Sequence, residues 1–171
     1  MVGGIRAMFK QDGNERTLVD IRELITEVVA LVHGETDRHR IRVSTHLDDE
    51  LPKVLAHRVQ LQQVVLNLIM NAIEAMDSVD DRAHMLRIKA QVRHPKDLVI
   101  TIEDTGCGIE AKDIDRIFDR FFTTKSQGIG MGLWICRSIV EAHEGRLWAE
   151  PGIQQGSVFR LQLPMPTPLG T

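Results

Sequence analysis

The stretch QVVLNLIMNAIEAM, residues 63–76, decides how this chain is read. At ~100° per residue, Leu61, Val64, Val65, Leu68, Ile69, Ala72 and Met76 fall on one broad apolar stripe of a helix that starts near Arg58. Asn67, Asn71 and Glu74 stand at i, i+4 and i+7, so they form a second, narrow stripe beside the first. Asparagine is a middling helix former because its side chain competes for backbone groups. Each one costs roughly half a kcal/mol against alanine. A carboxamide oxygen is also a hard, neutral ligand that suits Mg²⁺. The plainer alternative is that both asparagines are solvated or bond a neighbouring loop.

Outward from that helix, the patterns alternate between helix and strand. From Asp20, the residues Ile21, Leu24, Ile25, Val28, Val29 and Val32 predict a helix, with Gly34 as its stop. IRVSTHL (41–47) alternates like a strand, and KVLA (53–56) is a short second one. LRIKAQV (86–92) and LVITIED (98–104) are joined by a tight HPKD connection and predict an antiparallel hairpin. LWICRSIVEAHEG predicts a helix ending at Gly145, and RLWAE and SVFRLQL are closing strands. IFDRFFTTKSQGIGMG (117–132) is rich in Gly, Ser and Thr, has no clean period and predicts a long, mobile loop. Interleaved strands and helices around antiparallel pairs point to an α+β fold: a two-layer sandwich, with a mixed, mostly antiparallel sheet covered on one face by helices.

Two glycine-rich turns carry the chemistry. DTGCGI follows a strand and places Asp104 where a carboxylate is aimed into a cleft, able to accept from an exocyclic amine such as adenine N6. Gly106 and Gly108 allow close backbone approach. Alone, D-x-G-x-G is a weak signal. GIGMGL (128–133) is stronger, because Gly128, Gly130 and Gly132 alternate directly before a helix, where N–H groups make an anion site. A dinucleotide fold would place such glycines near its first strand, and a Walker-type lysine is missing. A flexible glycine linker is the competing reading.

Composition narrows the classes. The chain has 171 residues, 43% hydrophobic and 26% charged, enough for one domain with a real core. A net charge of -3 gives no bulk basic surface for nucleic acid. No apolar run nears the ~20 residues of a membrane span, and no secretory leader opens the sequence. Cys107 and Cys136 have no metal-ligand spacing and suit a reducing cytoplasm.

Taken in order, four segments resemble the sensor histidine kinases. NLIMNAIEA is similar to their asparagine box, DTGCGI to the first glycine box, FDRFFTTK to the phenylalanine box and GIGMGL to the second glycine box. The resemblance runs from about Asp20 to Leu163 and implies a Bergerat-type fold with ATP and Mg²⁺ as ligands. It implies that Asn71 binds the metal, with Asn67 near the phosphates and Asp104 on adenine. Gly106, Gly108 and Ile109 would form the turn under the base, and Ser157 would line the adenine pocket. Phe118, Phe121 and Phe122 would pack a lid, although plain core packing explains Phe118 equally well. Gly128, Gly130, Met131, Gly132 and Leu133 would form the phosphate-facing hinge, and Lys125 would reach the terminal phosphate. On this reading Asn67, Asn71 and Lys125 are the catalytic set. Glu74 could bind a metal water, but a surface charge is the better reading.

The resemblance also implies a division of the chain. Residues 1–16 would be the remnant of a dimerisation and phosphoacceptor helix with its linker, residues 17–164 the ATP-binding domain, and residues 165–171 a disordered tail. A phosphoacceptor box is missing: the one His-acid pair, His143-Glu144, follows the second glycine box and reads as structural. The expected partners are therefore a helical phosphoacceptor domain and a response regulator, the expected location is cytoplasmic, and the fragment is expected to be a monomer without direct membrane contact. His57, just before the asparagine helix, stands where the family has an acid and caps poorly. The competing classes are an ATP-hydrolysing protein of the same fold, an anti-sigma serine kinase and a pure nucleotide-binding switch. A hydrolase would need a general base at the position of Asn67, and an amide cannot take the proton.

Overall fold

A computed structural model describes residues 15–93, 97–122, 132–153 and 155–166. The chain runs β1 (Thr17–Val19), α1 (Ile21–Leu31), α2 (His33–Arg38), β2 (Arg42–Leu47), β3 (Val54–Ala56), α3 (Arg58–Asp77), β4 (Met85–Arg93), β5 (Asp97–Asp104), α4 (Gly132–Ala142), β6 (Arg146–Pro151) and β7 (Ser157–Pro164). Five strands form one sheet in the order β2-β4-β5-β7-β6, and β1 pairs with β3 in a small separate ribbon. Only the β2–β4 pair of the large sheet is parallel. This is the mixed, mostly antiparallel α+β sandwich that the sequence patterns predict.

The large sheet has one apolar face. Leu86, Ile88 and Ala90 of β4, Leu98, Ile100 and Ile102 of β5, and Phe159, Leu161 and Leu163 of β7 are all buried at alternate positions. They share one core cluster with Ile21, Leu24, Ile25 and Val28 of α1, the apolar stripe of α3, and Cys136 and Val140 of α4. Period-two strands and period-3.6 helices thus meet along matched stripes. On the other face, the buried Thr101 hydroxyl accepts from Arg160, whose guanidinium also reaches Glu150. Long polar side chains cover that face where no helix does.

One expectation needs correction. Gly34 does not stop the first helix: α1 ends at Leu31, and Gly34 lies inside the short helix α2. The break comes at Val32, whose N–H still bonds the carbonyls of Val28 and Ala30 while its own ψ of 3° leaves the helical region. Around the start of the expected loop, residues 111–121 form a run of overlapping turns that buries Ile117 and Phe118, and residues 123–131 lie outside the described residues. Strand β1, three residues long, had no pattern of its own to announce it; its register with β3 places Val19 opposite Val54 in the core. Helix α1 starts where expected, with the Asp20 carboxylate accepting from Glu23 N–H at 3.1 Å.

The start of α3 is held unusually. His57 is its N-cap but makes no side-chain capping bond. Its backbone N–H instead donates to Nε2 of His143 at 3.0 Å, and Nδ1 of His143 lies 2.8 Å from the Ile139 carbonyl. One ring nitrogen accepts and the other donates, which fixes His143 as the neutral tautomer protonated on Nδ1. Burial holds its imidazole below the ordinary histidine range, opposed by the bond to the Ile139 carbonyl and reinforced by the charge on Arg16 and by His57. His143 is structural: it ties the end of α4 to the start of α3. A depressed folded-state pKa means that the unfolded chain binds more protons, so stability is present above the unfolded value near 6.5 and falls as pH drops below it. We expect the melting temperature to fall between pH 7.5 and 5.5, and to fall less in His143→Gln, which keeps an acceptor but does not titrate. Parallel melting curves of the two proteins across that range would count against this account.

Candidate functional site

The site is built where β5 ends. Asp104 is the last residue of β5 and the direct cross-strand partner of Ser157, the first residue of β7. Both are buried, at 2% and 3% exposure. Oδ1 of Asp104 accepts from the Gly106 N–H at 2.8 Å, and Oδ2 accepts from the Ser157 hydroxyl at 2.8 Å. A carboxylate offers about four acceptor positions, so two anchors fix its plane and leave capacity for a further donor. Burial pushes its carboxyl above the usual range, while the bonds from Gly106 and Ser157 pull it down and the Glu103 charge adds a smaller upward push. The fold therefore keeps an acceptor where water is scarce and orients it with two donors of its own.

The glycine turn then docks on α3. A Cβ on Gly106 would stand 2.6 Å from the carbonyl carbon and oxygen of Ala75, so only a glycine allows this approach. The next N–H, on Cys107, donates to the Ala75 carbonyl at 3.1 Å. Ala75 lies one turn beyond Asn71 on the same helix, so the turn carrying Asp104 and the helix carrying the asparagines are in direct contact. Asn67 and Asn71 are half-buried and Glu74 is exposed, beside the buried stripe of Leu61, Val64, Val65, Leu68, Ile69, Ala72, Ile73 and Met76.

Asn67 has a specific partner. Its Nδ2 lies 3.6 Å from Sγ of Cys136, a fully buried residue on α4, and that thiol in turn lies 3.9 Å from the Val64 carbonyl. Burial raises the Cys136 thiol to about 11, so it stays protonated and inert. The contact engages the amide nitrogen of Asn67 and leaves its carbonyl oxygen, the metal-type acceptor, for other partners. Among the described residues, no group of three or more His, Cys, Asp or Glu side chains could hold a metal alone. Neutral amides beside an anionic ligand do fit Mg²⁺, which is held largely by substrate phosphates and waters.

The remaining candidates divide. Ile109, Phe122 and Leu133 pack partly buried against the core, and Gly132 opens α4. Phe118 is a core residue, 5% exposed, with its ring edge-on to Phe159 at 6.2 Å between centroids. Phe121 does not pack inward: it is 62% exposed, with a φ of 68°, and its ring lies under the Arg120 guanidinium. Gly108, with a φ of 78°, closes the first glycine turn. Lys125, Gly128, Gly130 and Met131 lie outside the described residues. Sequence reasoning missed Arg82, Gly156 and Cys136, all of which touch the cluster. Gly156 opens the GSVF stretch that carries Ser157, whereas Arg82 and Cys136 belong to no motif and take their roles from contacts across the fold.

Residues 56–167 match the model of the histidine kinase-, DNA gyrase B- and HSP90-like ATPase family. The chain belongs to this family. The sensor protein FixL of Bradyrhizobium diazoefficiens is 37% identical over 161 residues, which is 94% of this chain and 31% of FixL. The catalytic domain of histidine kinase ThkA superposes with a TM-score of 0.78 at 34% identity, covering 88% of this chain and 95% of that domain. Full-length ShkA in complex with AMPPNP gives the same TM-score at 25% identity, over 91% of this chain and 32% of ShkA. The chain is an ATP-binding catalytic domain of the sensor histidine kinase kind, and it spans between 17% and 31% of the length of curated relatives such as TmoS of Ectopseudomonas mendocina and FixL.

Proposed function

We propose that Asp104 accepts a hydrogen bond from the exocyclic amine of adenine, and that Asn67 and Asn71 hold Mg²⁺ and the phosphates of ATP at the other end of the same pocket. The observation that carries this is the contact between the two halves: the Asp104 turn is seated on Ala75, one turn from Asn71. Ser157 and Gly106 orient the carboxylate, and Gly108 and Ile109 shape the turn beneath the base. The N-terminus of α4, with Gly132 and Leu133 and the preceding Gly128, Gly130 and Met131, offers main-chain donors to the phosphates. Phe122 packs partly buried against the core, and Lys125 is the residue that would supply a positive charge at the terminal phosphate.

In the reaction, the bond between the γ-phosphorus and the oxygen bridging it to ADP breaks, and a phosphorus–nitrogen bond forms to a histidine imidazole of a separate helical domain. The imidazole proton passes to an acidic neighbour on that domain. This chain's residues position the phosphoryl group and offset its charge, which is most of what such a transfer requires. When bound, Mg²⁺ neutralises the phosphate oxygens. Asn67, held by Cys136, presents an amide and no base, which favours transfer to a protein side chain over hydrolysis by water. A response regulator is the proposed downstream partner, and support comes from ThkA, which has been solved in complex with response regulator protein TrrA. The cytoplasm is the proposed location of the transfer; no described helix is long and apolar enough to cross a membrane.

The deciding experiment is calorimetry with ATP, with and without magnesium, followed by phosphotransfer to a separately supplied histidine-bearing helical domain. Asn71→Asp adds a negative charge beside the phosphates. It is expected to lower phosphotransfer by about a hundredfold, on the order of 3 kcal/mol, while metal-free ADP affinity changes only a few-fold. Undiminished transfer in that variant would remove Asn71 from the site. Phosphorylation of a serine-bearing protein, with none on histidine, would favour the anti-sigma class.

A further inference from the structure

The connector between α3 and β4 grips the turn that carries Asp104. Nη1 of Arg82 donates to the Gly106 carbonyl at 3.1 Å and to the Thr105 carbonyl at 3.4 Å. Nε of Arg82 pairs with Oδ1 of Asp81 at 3.1 Å, which sets the plane of the guanidinium. The hydroxyl of Thr105 donates to the Ala83 carbonyl at 2.8 Å and accepts from the Met85 N–H at 3.0 Å. Two residues of the connector, Arg82 and Ala83, together with the first residue of β4, Met85, therefore hold two consecutive residues of the turn.

The geometry of one peptide unit gives this grip a consequence. The Thr105 carbonyl and the Gly106 N–H belong to the same planar, trans peptide, so they point in opposite directions. Arg82 holds the carbonyl side, and Oδ1 of Asp104 is held by the N–H side. Rotation of that peptide would break both contacts and release one of the two anchors of the carboxylate. A charged donor on a carbonyl also polarises the N–H of the same unit, which strengthens its bond to the carboxylate.

We infer that Arg82 is a positioning residue for purine selection, locking the Thr105–Gly106 peptide so that the Asp104 carboxylate keeps the orientation that accepts an exocyclic amine. Arg82 touches neither base nor phosphate in this account; it acts through the turn. The inference rests on the reading of Asp104 as the adenine acceptor.

The test measures dissociation constants for ADP and inosine diphosphate, without magnesium, in the wild-type domain and in Arg82→Ala and Arg82→Lys. Inosine diphosphate carries a carbonyl oxygen in place of the amine, so the carboxylate repels it. Wild type should prefer ADP. Arg82→Ala should weaken ADP binding about tenfold, in keeping with the loss of one charged hydrogen-bonding group, and should narrow the ADP-to-inosine ratio. Arg82→Lys, whose ammonium can still reach a carbonyl, should recover part of both. A merely structural role would weaken the two nucleotides equally and leave the ratio unchanged, and that result overturns the inference. A wild-type domain that binds ADP and inosine diphosphate alike would instead overturn the assignment of Asp104, and with it this role for Arg82.

Discussion

Asp104→Asn is expected to weaken ADP and ATP binding about a hundredfold while leaving the fold intact. The variant can keep both internal anchors. Its amide oxygen must face the Gly106 N–H, because an NH₂ there would oppose a donor with a donor. Its NH₂ then faces Ser157, whose hydroxyl can rotate to accept. What is lost is the negative charge and an acceptor position toward the base. A hydrogen bond to a charged group contributes ~1.5–3 kcal/mol, which corresponds to roughly ten- to a hundredfold or slightly more in affinity. The stability of the unliganded domain should move the other way. Burial raises the Asp104 carboxyl above its ordinary value, so the folded state binds its proton more tightly than the unfolded state does. Stability from this group is then fully present below the unfolded value near 3.8 and is lost as pH rises through the higher folded one. At neutral pH the ionised carboxylate is a cost to the empty domain, and Asn removes it. Calorimetry should show the affinity loss, and thermal melting at pH 7 should show a melting temperature equal to or above that of wild type. Affinity within threefold of wild type would mean that Asp104 does not meet the base.

The opposition between binding and stability at Asp104 also explains which features the sequence displays. Asn67, Asn71 and Asp104 are visible because each breaks a local rule: polar residues along a helix edge, and an acid that ends the otherwise apolar row Leu98, Ile100 and Ile102 of its strand. The strands β4, β5 and β7 and the helix α3 are visible because their apolar periods are long and unbroken. Gly34 misleads for the opposite reason. Glycine stops helices often, but here the chain already leaves the helix at Val32, and a glycine in the short α2 meets no neighbour that would forbid a side chain. Strand β1 is too short to show alternation, and its existence depends on pairing with β3 some forty residues away. Phe121 shares a motif with Phe118, yet its positive φ turns it outward to Arg120, and no local pattern separates the two. Arg82 and Cys136 act through a carbonyl and a thiol contact across the fold, and such contacts leave no periodic trace.

Gly156→Ala is expected to destabilise the domain by about 3 kcal/mol, which in a chain of this size lowers the melting temperature by roughly 6–12 °C. Gly156 has a φ of 83°, in the left-handed region that side chains disfavour. A Cβ there would also overlap the Asp104 carbonyl oxygen, a backbone atom that cannot swing aside as a side chain would. The Gly156 carbonyl meanwhile accepts from the Gly152 N–H at 3.0 Å, which closes the turn between β6 and β7. Relief of the overlap must therefore open the end of the β5–β7 ladder, where Asp104 pairs with Ser157. The hydroxyl of Ser157 would move away from Oδ2, so nucleotide affinity should fall together with stability. Gly34→Ala supplies the contrast: its Cβ meets nothing within 4 Å inside α2, and the exchange should stabilise by about 0.5–1 kcal/mol. If Gly156→Ala melts within a degree or two of wild type, the turn yields without cost and the tight seating of Gly156 against Asp104 is not what orders this end of the sheet. If it melts low but binds ADP normally at 10 °C, Ser157 is not needed to orient the carboxylate. Both losses together are the expected result, because one backbone contact holds the sheet edge and the acceptor at once.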